Sequence, residues 1–139
     1  MSSRSKRVNI LGVNYTVRYV GPENKIIARK GAVGYTNPRL RVILVLDTRQ
    51  SDAYTYLVDH LASATETMRH EVIHAFLDQS GLGGNSMPTD AWACNEEMVD
   101  WFAIQWPKIQ LVIDNLSVWL SAMHDPTSDL YFEVDSLPR

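Results

Sequence analysis

His70-Glu71-Val72-Ile73-His74 is the segment of this 139-residue chain whose residue types and spacing point to chemistry. Residues four apart on a helix lie one turn apart on one face, so both imidazoles can reach a single metal ion. Glu71 stands about 100° round the helix from His70. From there a carboxylate can take a proton from a metal-bound water without displacing a histidine. The pattern matches the H-E-x-x-H zinc motif. With His70 as origin, Thr67, His74, Asp78 and Glu71 fall within about 40–100°, and Met68, Val72, Phe76, Ile73 and Leu77 within about 160–340°. The motif residues thus share a polar face and the core contacts take the other. The alternative is a solvated face that spells the motif by chance. A catalytic zinc takes three protein ligands and keeps one position open, so a third ligand is required.

Asn95-Glu96-Glu97-Met98-Val99-Asp100 offers candidates. Glu96 and Asp100 are four apart on the next predicted helix and share a face. The first can ligate a metal; the second can accept a hydrogen bond from the far nitrogen of a metal-bound histidine and fix its tautomer. Glu97 competes for the ligand position. An acidic helix start that merely complements the helix dipole is the plainer alternative.

His70-Glu71-x-x-His74 followed by Asn95-Glu96-x-x-x-Asp100 resembles the gluzincin pattern. The resemblance implies zinc bound by His70, His74 and Glu96, Glu71 as general base and Asp100 as the supporting partner. More widely, the chain is similar to short zincin-like metallopeptidases encoded by phages and prophages. Val8 to Gly12 with Tyr15-Thr16-Val17, Arg69 to Leu82 and Asn95 to Ile109 carry that similarity. It implies a zinc-dependent metallopeptidase that hydrolyses peptide bonds in a peptide or protein substrate, in the cytoplasm of the host cell. The chain is too short for the second lobe of larger gluzincins, which supplies transition-state donors. A second reading follows from that difference: a non-catalytic zinc-binding protein of phage structure or host interaction.

The elements that must position these residues divide the chain in two. The first half reads as strands: Val8 to Leu11 and Tyr15 to Val20 as a hairpin, Lys25 to Arg29 as a short strand, and Arg39 to Leu46 as the strongest, rich in Val, Ile and Leu. The second half reads as helices. One starts near Asp52 and ends at Gln79 before Ser80-Gly81, and a second runs from Thr89 or Asp90 to Gln105. At Pro107 that helix either kinks or gives way to a third, reaching about His124. A short strand at 130–134 closes the chain. Strands followed by helices predict an α+β domain. The expected form is a compact single-domain zincin-like fold, a small antiparallel sheet packed on a metal-binding helix plus two further helices. Residues 1–7 are expected as a disordered tail and 8–139 as the domain.

Composition sets limits on function. The net charge of -3 excludes binding of nucleic acid through a global positive field. The single cysteine, Cys94, excludes an intramolecular disulfide framework. Val42 to Leu46 is far short of the roughly 20 residues of a membrane span, and the strand alternation after Arg7 does not read as a signal peptide. Oligomeric state is left open. Among other candidates, His60 and His124 can stabilise an oxyanion, and Tyr35, between Gly34 and the strongest strand, can line a cleft. Ordinary structural roles are the simpler reading of all three, as for Tyr54, Tyr56 and Tyr131. Trp92, Trp101, Trp106 and Trp119 read as helix core, and Cys94 as a small buried residue.

Overall fold

Strand β1 (Ser5–Ile10) and strand β2 (Val13–Val20) form a hairpin with Ile10 opposite Val13. Leu11 (φ 52°) and Gly12 (φ 89°) make the two-residue turn, both left-handed as the twist of the flanking strands favours. Asn9 closes the turn by accepting from the Gly12 N–H at 2.8 Å. The strand reaches back to Ser5, so the segment expected as a tail is paired from there onward. The computed structural model describes residues 3–82 and 96–124, with the side chains of Glu96, Val99 and Ala103 left aside. The expected strand at 130–134, the expected start of the second helix at Thr89 or Asp90, Trp92, Cys94 and Tyr131 lie outside the described residues.

Lys25–Lys30 is a helix, α1, and not the expected strand. Asn24 caps it by accepting from the N–H groups of Ile26 and Ile27, and Gly31 ends it in the left-handed conformation with its N–H on Ile27 O. The caps at both ends outweigh the strand preference of the paired isoleucines. Strand β3 (Gly34–Asn37) then turns back into strand β4 (Val42–Leu46). The order is β1-β2-β4-β3. β4 runs parallel to β2 and antiparallel to β3, so the sheet is mixed, not antiparallel. The α1 crossover makes the parallel pair possible, because parallel neighbours need a connection longer than a hairpin.

β4 is central and buried on both faces, which accounts for its unbroken apolar run. One face carries Val8, Ile10, Tyr15, Val17, Tyr19, Ile43 and Val45 toward two main helices, α2 (His60–Gln79) and α3 (Glu96–His124). Leu44 and Leu46 meet Ile27 of α1 on the other face. The molecule is an α+β single domain of a four-stranded mixed sheet packed against two helices. α2 starts later than expected: two 3-10 turns, Thr48–Gln50 and Asp52–Tyr54, come first, and Asp59 caps the helix on Ala62 N. α3 is one helix with Pro107 inside it, where two were anticipated. No helix among the described residues is long and apolar enough to cross a membrane.

Asp47, the residue that follows β4, is 1% exposed. Its carboxylate accepts from Arg4 Nη2 at 3.0 Å, from Arg49 Nε and Nη2 at 2.9 Å each, and from Gln50 Nε2 at 3.3 Å. Burial pushes this carboxyl up, but the hydrogen bonds and charges of Arg49 and Arg4 outweigh it and hold the pKa to about 2. Beside it Tyr19 Oη and His124 Nε2 are hydrogen-bonded at 2.8 Å. Burial and the charge of Arg49 push His124 down to about 4, against the opposing pull of Asp47.

Both shifts destabilise the fold in acid. The unfolded chain binds a proton at His124 between pH 6.5 and about 4 while the folded chain does not, so stability falls as pH drops through that window. Asp47 contributes stability above its ordinary value of 3.8 and loses it as pH falls toward about 2. We expect His124→Gln to flatten the decline in melting temperature between pH 6.5 and 4. Asp47→Asn should cost roughly 1.5–3 kcal/mol at pH 7, the worth of hydrogen bonds to a charged group. Circular-dichroism melts from pH 7 to 2.5 check this; parallel declines for wild type and His124→Gln above pH 4 would refute the His124 assignment.

Candidate functional site

Ala64, Met68, Val72, Ala75 and Phe76 are the apolar residues that α2 buries. They span about 120–240° from His70 on the wheel, a narrower arc than anticipated; Ile73 and Leu77 are only half-buried. That face fixes the helix rotation. His70 and His74 then project outward, both exposed. Their Nε2 atoms lie 3.1 Å apart, and the ring centroids are separated by 4.7 Å. Two nitrogens each about 2.0–2.1 Å from one tetrahedral zinc stand roughly 3.3 Å apart. The pair thus fits a shared zinc with little adjustment. Two imidazole nitrogens are donors suited to that metal.

Glu71 lies at the boundary of the buried arc, 7% exposed. The edge strand β3 crosses over it. Thr36 Oγ1 donates to Glu71 Oε1 at 2.8 Å and lies 3.1 Å from the Glu71 carbonyl oxygen. The other carboxylate oxygen, Oε2, is 4.0 Å from His70 Nε2. Gly34 makes the close crossing possible. A Cβ there would stand 2.7 Å from both Glu71 Oε2 and Thr67 Cγ2. One carboxylate oxygen is thereby held and the other lies toward His70.

A cavity of about 600 Å³ adjoins His70 and Glu71. It lies between Gly31–Gly34 on one side and Ser63, Glu66 and Thr67 of α2 on the other, with Tyr54 also on its wall. Its volume is in the range of ligand-binding clefts.

Glu96 opens α3, and its side chain lies outside what is described. Glu97 and Asp100 are exposed, and among the described residues no hydrogen bond joins Asp100 to His70 or His74. Nor do the described residues include a cluster of three His, Cys, Asp or Glu able to hold a metal. Helix geometry gives the reason for Asp100. The ends of α2 and α3 marked by His60 and His124 meet around Thr48 and Arg49, so the helices run antiparallel. Asp100 is roughly 36 Å of helix from that end and His74 roughly 21 Å. A helix continuous through Pro107 carries Asp100, and Glu96 one turn further, past the histidine pair.

The remaining candidates have structural partners elsewhere. His60 Nδ1 is 2.8 Å from Thr48 Oγ1, and His124 bonds Tyr19. Tyr35 faces the opposite side of the sheet from Gly34 and Thr36, packing with Ile27 and Leu44, and its hydroxyl accepts from Asn37 Nδ2. Of its two neighbours Gly34 lines the cavity and Thr36 meets Glu71, as strand alternation requires once one of the three is placed. Trp119 is buried with its Nε1 donating to Ser3 O, Trp101 is half-buried and Trp106 is exposed.

Gly34→Ala should cost roughly 1–3 kcal/mol, the usual range for overpacking. The cost should shrink in a Glu71→Ala background, where the carboxylate that meets the new methyl is gone. A double-mutant cycle in urea measures this coupling; strict additivity would show that β3 does not press on Glu71.

Compared with protein-family models, curated proteins and solved structures, the chain matches none.

Proposed function

We propose that this chain is a zinc-dependent metallopeptidase of compact zincin-like fold that hydrolyses peptide bonds. The observation that carries the reading is the paired Nε2 atoms of His70 and His74 at 3.1 Å, with the held carboxylate of Glu71 beside them at the mouth of a cavity. His70 and His74 would hold the metal; the sequence pattern names Glu96 as the third ligand, a role that requires the start of α3 to lie closer to the pair than the axial spacing sets it. Zinc bound there would polarise the scissile carbonyl and acidify a water. Glu71 takes that water's proton at Oε2, the oxygen facing His70, and delivers it to the leaving amine. Thr36 keeps the carboxylate from turning away by donating to Oε1. Phage or prophage origin, and action in the host cytoplasm, rest on the sequence resemblance.

The position of Glu96 and Asp100 along α3 favours one other reading, a zinc-binding protein without peptidase activity. Metal analysis and peptide assays separate the two. We expect one zinc per chain, lost in His70→Ala, His74→Ala and Glu96→Ala and kept in Glu97→Ala. The opposite result for the two glutamates would reassign the third ligand. Asp100→Ala should weaken zinc about 10- to 100-fold if it supports a ligand; unchanged affinity removes it from the site.

Glu71→Gln should keep zinc and fold and abolish cleavage of a peptide library, because the base is needed for proton transfer and not for holding the metal. Equal cleavage by wild type and variant would assign the proton transfer to another group. No cleavage by either, with zinc bound, would favour the binding reading.

A further inference from the structure

The cavity beside Glu71 has a charge pattern that the hydrolytic chemistry does not use. Ser63, Glu66, Thr67, His70 and Glu71 line it at successive turns of one face of α2. Glu66 is one turn, about 6 Å along the axis, from His70. Glu71 is engaged by Thr36. Glu66 is exposed, and no salt bridge is formed by it among the described residues. No lysine or arginine lines the cavity. The opposite wall is Gly31, Ala32, Val33 and Gly34, whose small size leaves the space open, and Tyr54 adds an aromatic surface. An unpaired carboxylate, two hydroxyls and an aromatic ring suit a long cationic side chain, with its stem against the ring and its charge at the carboxylate.

We infer that this cavity is a subsite for a lysine or arginine side chain of the substrate, close to the scissile bond, with Glu66 as the counter-charge. The inference rests on the peptidase reading for the word substrate, but the subsite itself is a binding property. An anionic side chain would meet the Glu66 carboxylate and is disfavoured there by like-charge repulsion.

The test uses acetylated, amidated alanine hexapeptides carrying a single Lys, Arg, Leu or Glu at each position in turn. Binding is measured on the zinc-loaded Glu71→Gln protein, and cleavage on the wild type. We expect Lys and Arg peptides to bind about fivefold more tightly than Leu peptides at low salt, as one ion pair at the edge of solvent supplies. The preference should fade as salt rises. In the Glu71→Gln background, Glu66→Gln should abolish it and Glu66→Lys should shift it toward Glu peptides. A basic preference that survives Glu66→Lys in a protein of unchanged circular dichroism overturns the assignment, as does binding indifferent to charge. Basic peptides bound selectively but never cut by the wild type would sink the peptidase reading and keep the subsite. Peptides cut without regard to charge would do the reverse.

Discussion

The burial of Met68, Val72, Ala75 and Phe76 against the sheet is the constraint on which the candidate site depends. These side chains are fully buried, and a core packed at crystal-like density resists helix rotation. Turning α2 by one residue would move apolar groups into water at a cost of about 1.5–3 kcal/mol for each large side chain. With the rotation fixed, His70 and His74 have only one direction available, outward. Glu71, about 100° from His70, falls at the seam between core and solvent.

The seam is closed by the edge strand. β3 pairs only with β4 among the described strands, and its other side comes down on α2. Gly34 permits the approach because it has no Cβ, and Thr36 turns the contact into a hydrogen bond to the carboxylate. A buried carboxylate without a partner is costly. Here the strand that removes Glu71 from water also supplies its donor, leaving the second oxygen toward His70. Tyr35 between them is directed to the α1 side by the alternation of the strand, so one three-residue segment serves two different packing layers.

A buried ion cluster stands at the other end of the helix pair. Asp47 gathers Arg4 from the start of the chain and Arg49 from the turn after β4, and Arg49 also donates to Met123 O at the end of α3. Both guanidiniums lie over the Tyr19 ring, at 4.7 and 5.9 Å from its centroid. Sheet, N-terminus and the end of α3 therefore meet at one buried anion, and Thr48 beside it bonds His60 at the start of α2. Its place at the His60 end of α2 keeps it clear of the histidine pair, so the acid sensitivity of the fold and the chemistry of the site reside in separate groups.

Much of this was legible from local sequence, where the deciding interactions lie within a few residues. The H-E-x-x-H spacing, the polar and apolar faces of α2, the hairpin of β1 and β2 and the run of β4 all follow from periodicity. The caps of α1 were legible too, in Asn24 and Gly31, but two isoleucines in a six-residue segment read equally well as a strand. What sequence could not supply was contact between segments far apart in the chain. The parallel pairing of β2 with β4 depends on which edge α1 crosses. The role of Thr36 depends on the edge strand lying across Glu71, 35 residues away. The continuity of α3 through Pro107 carries Asp100 past His74, although spacing alone suggested a partner. Periodicity says which side of an element is apolar; the tertiary structure decides which element meets that side and at what height, because those choices come from the packing of the whole core.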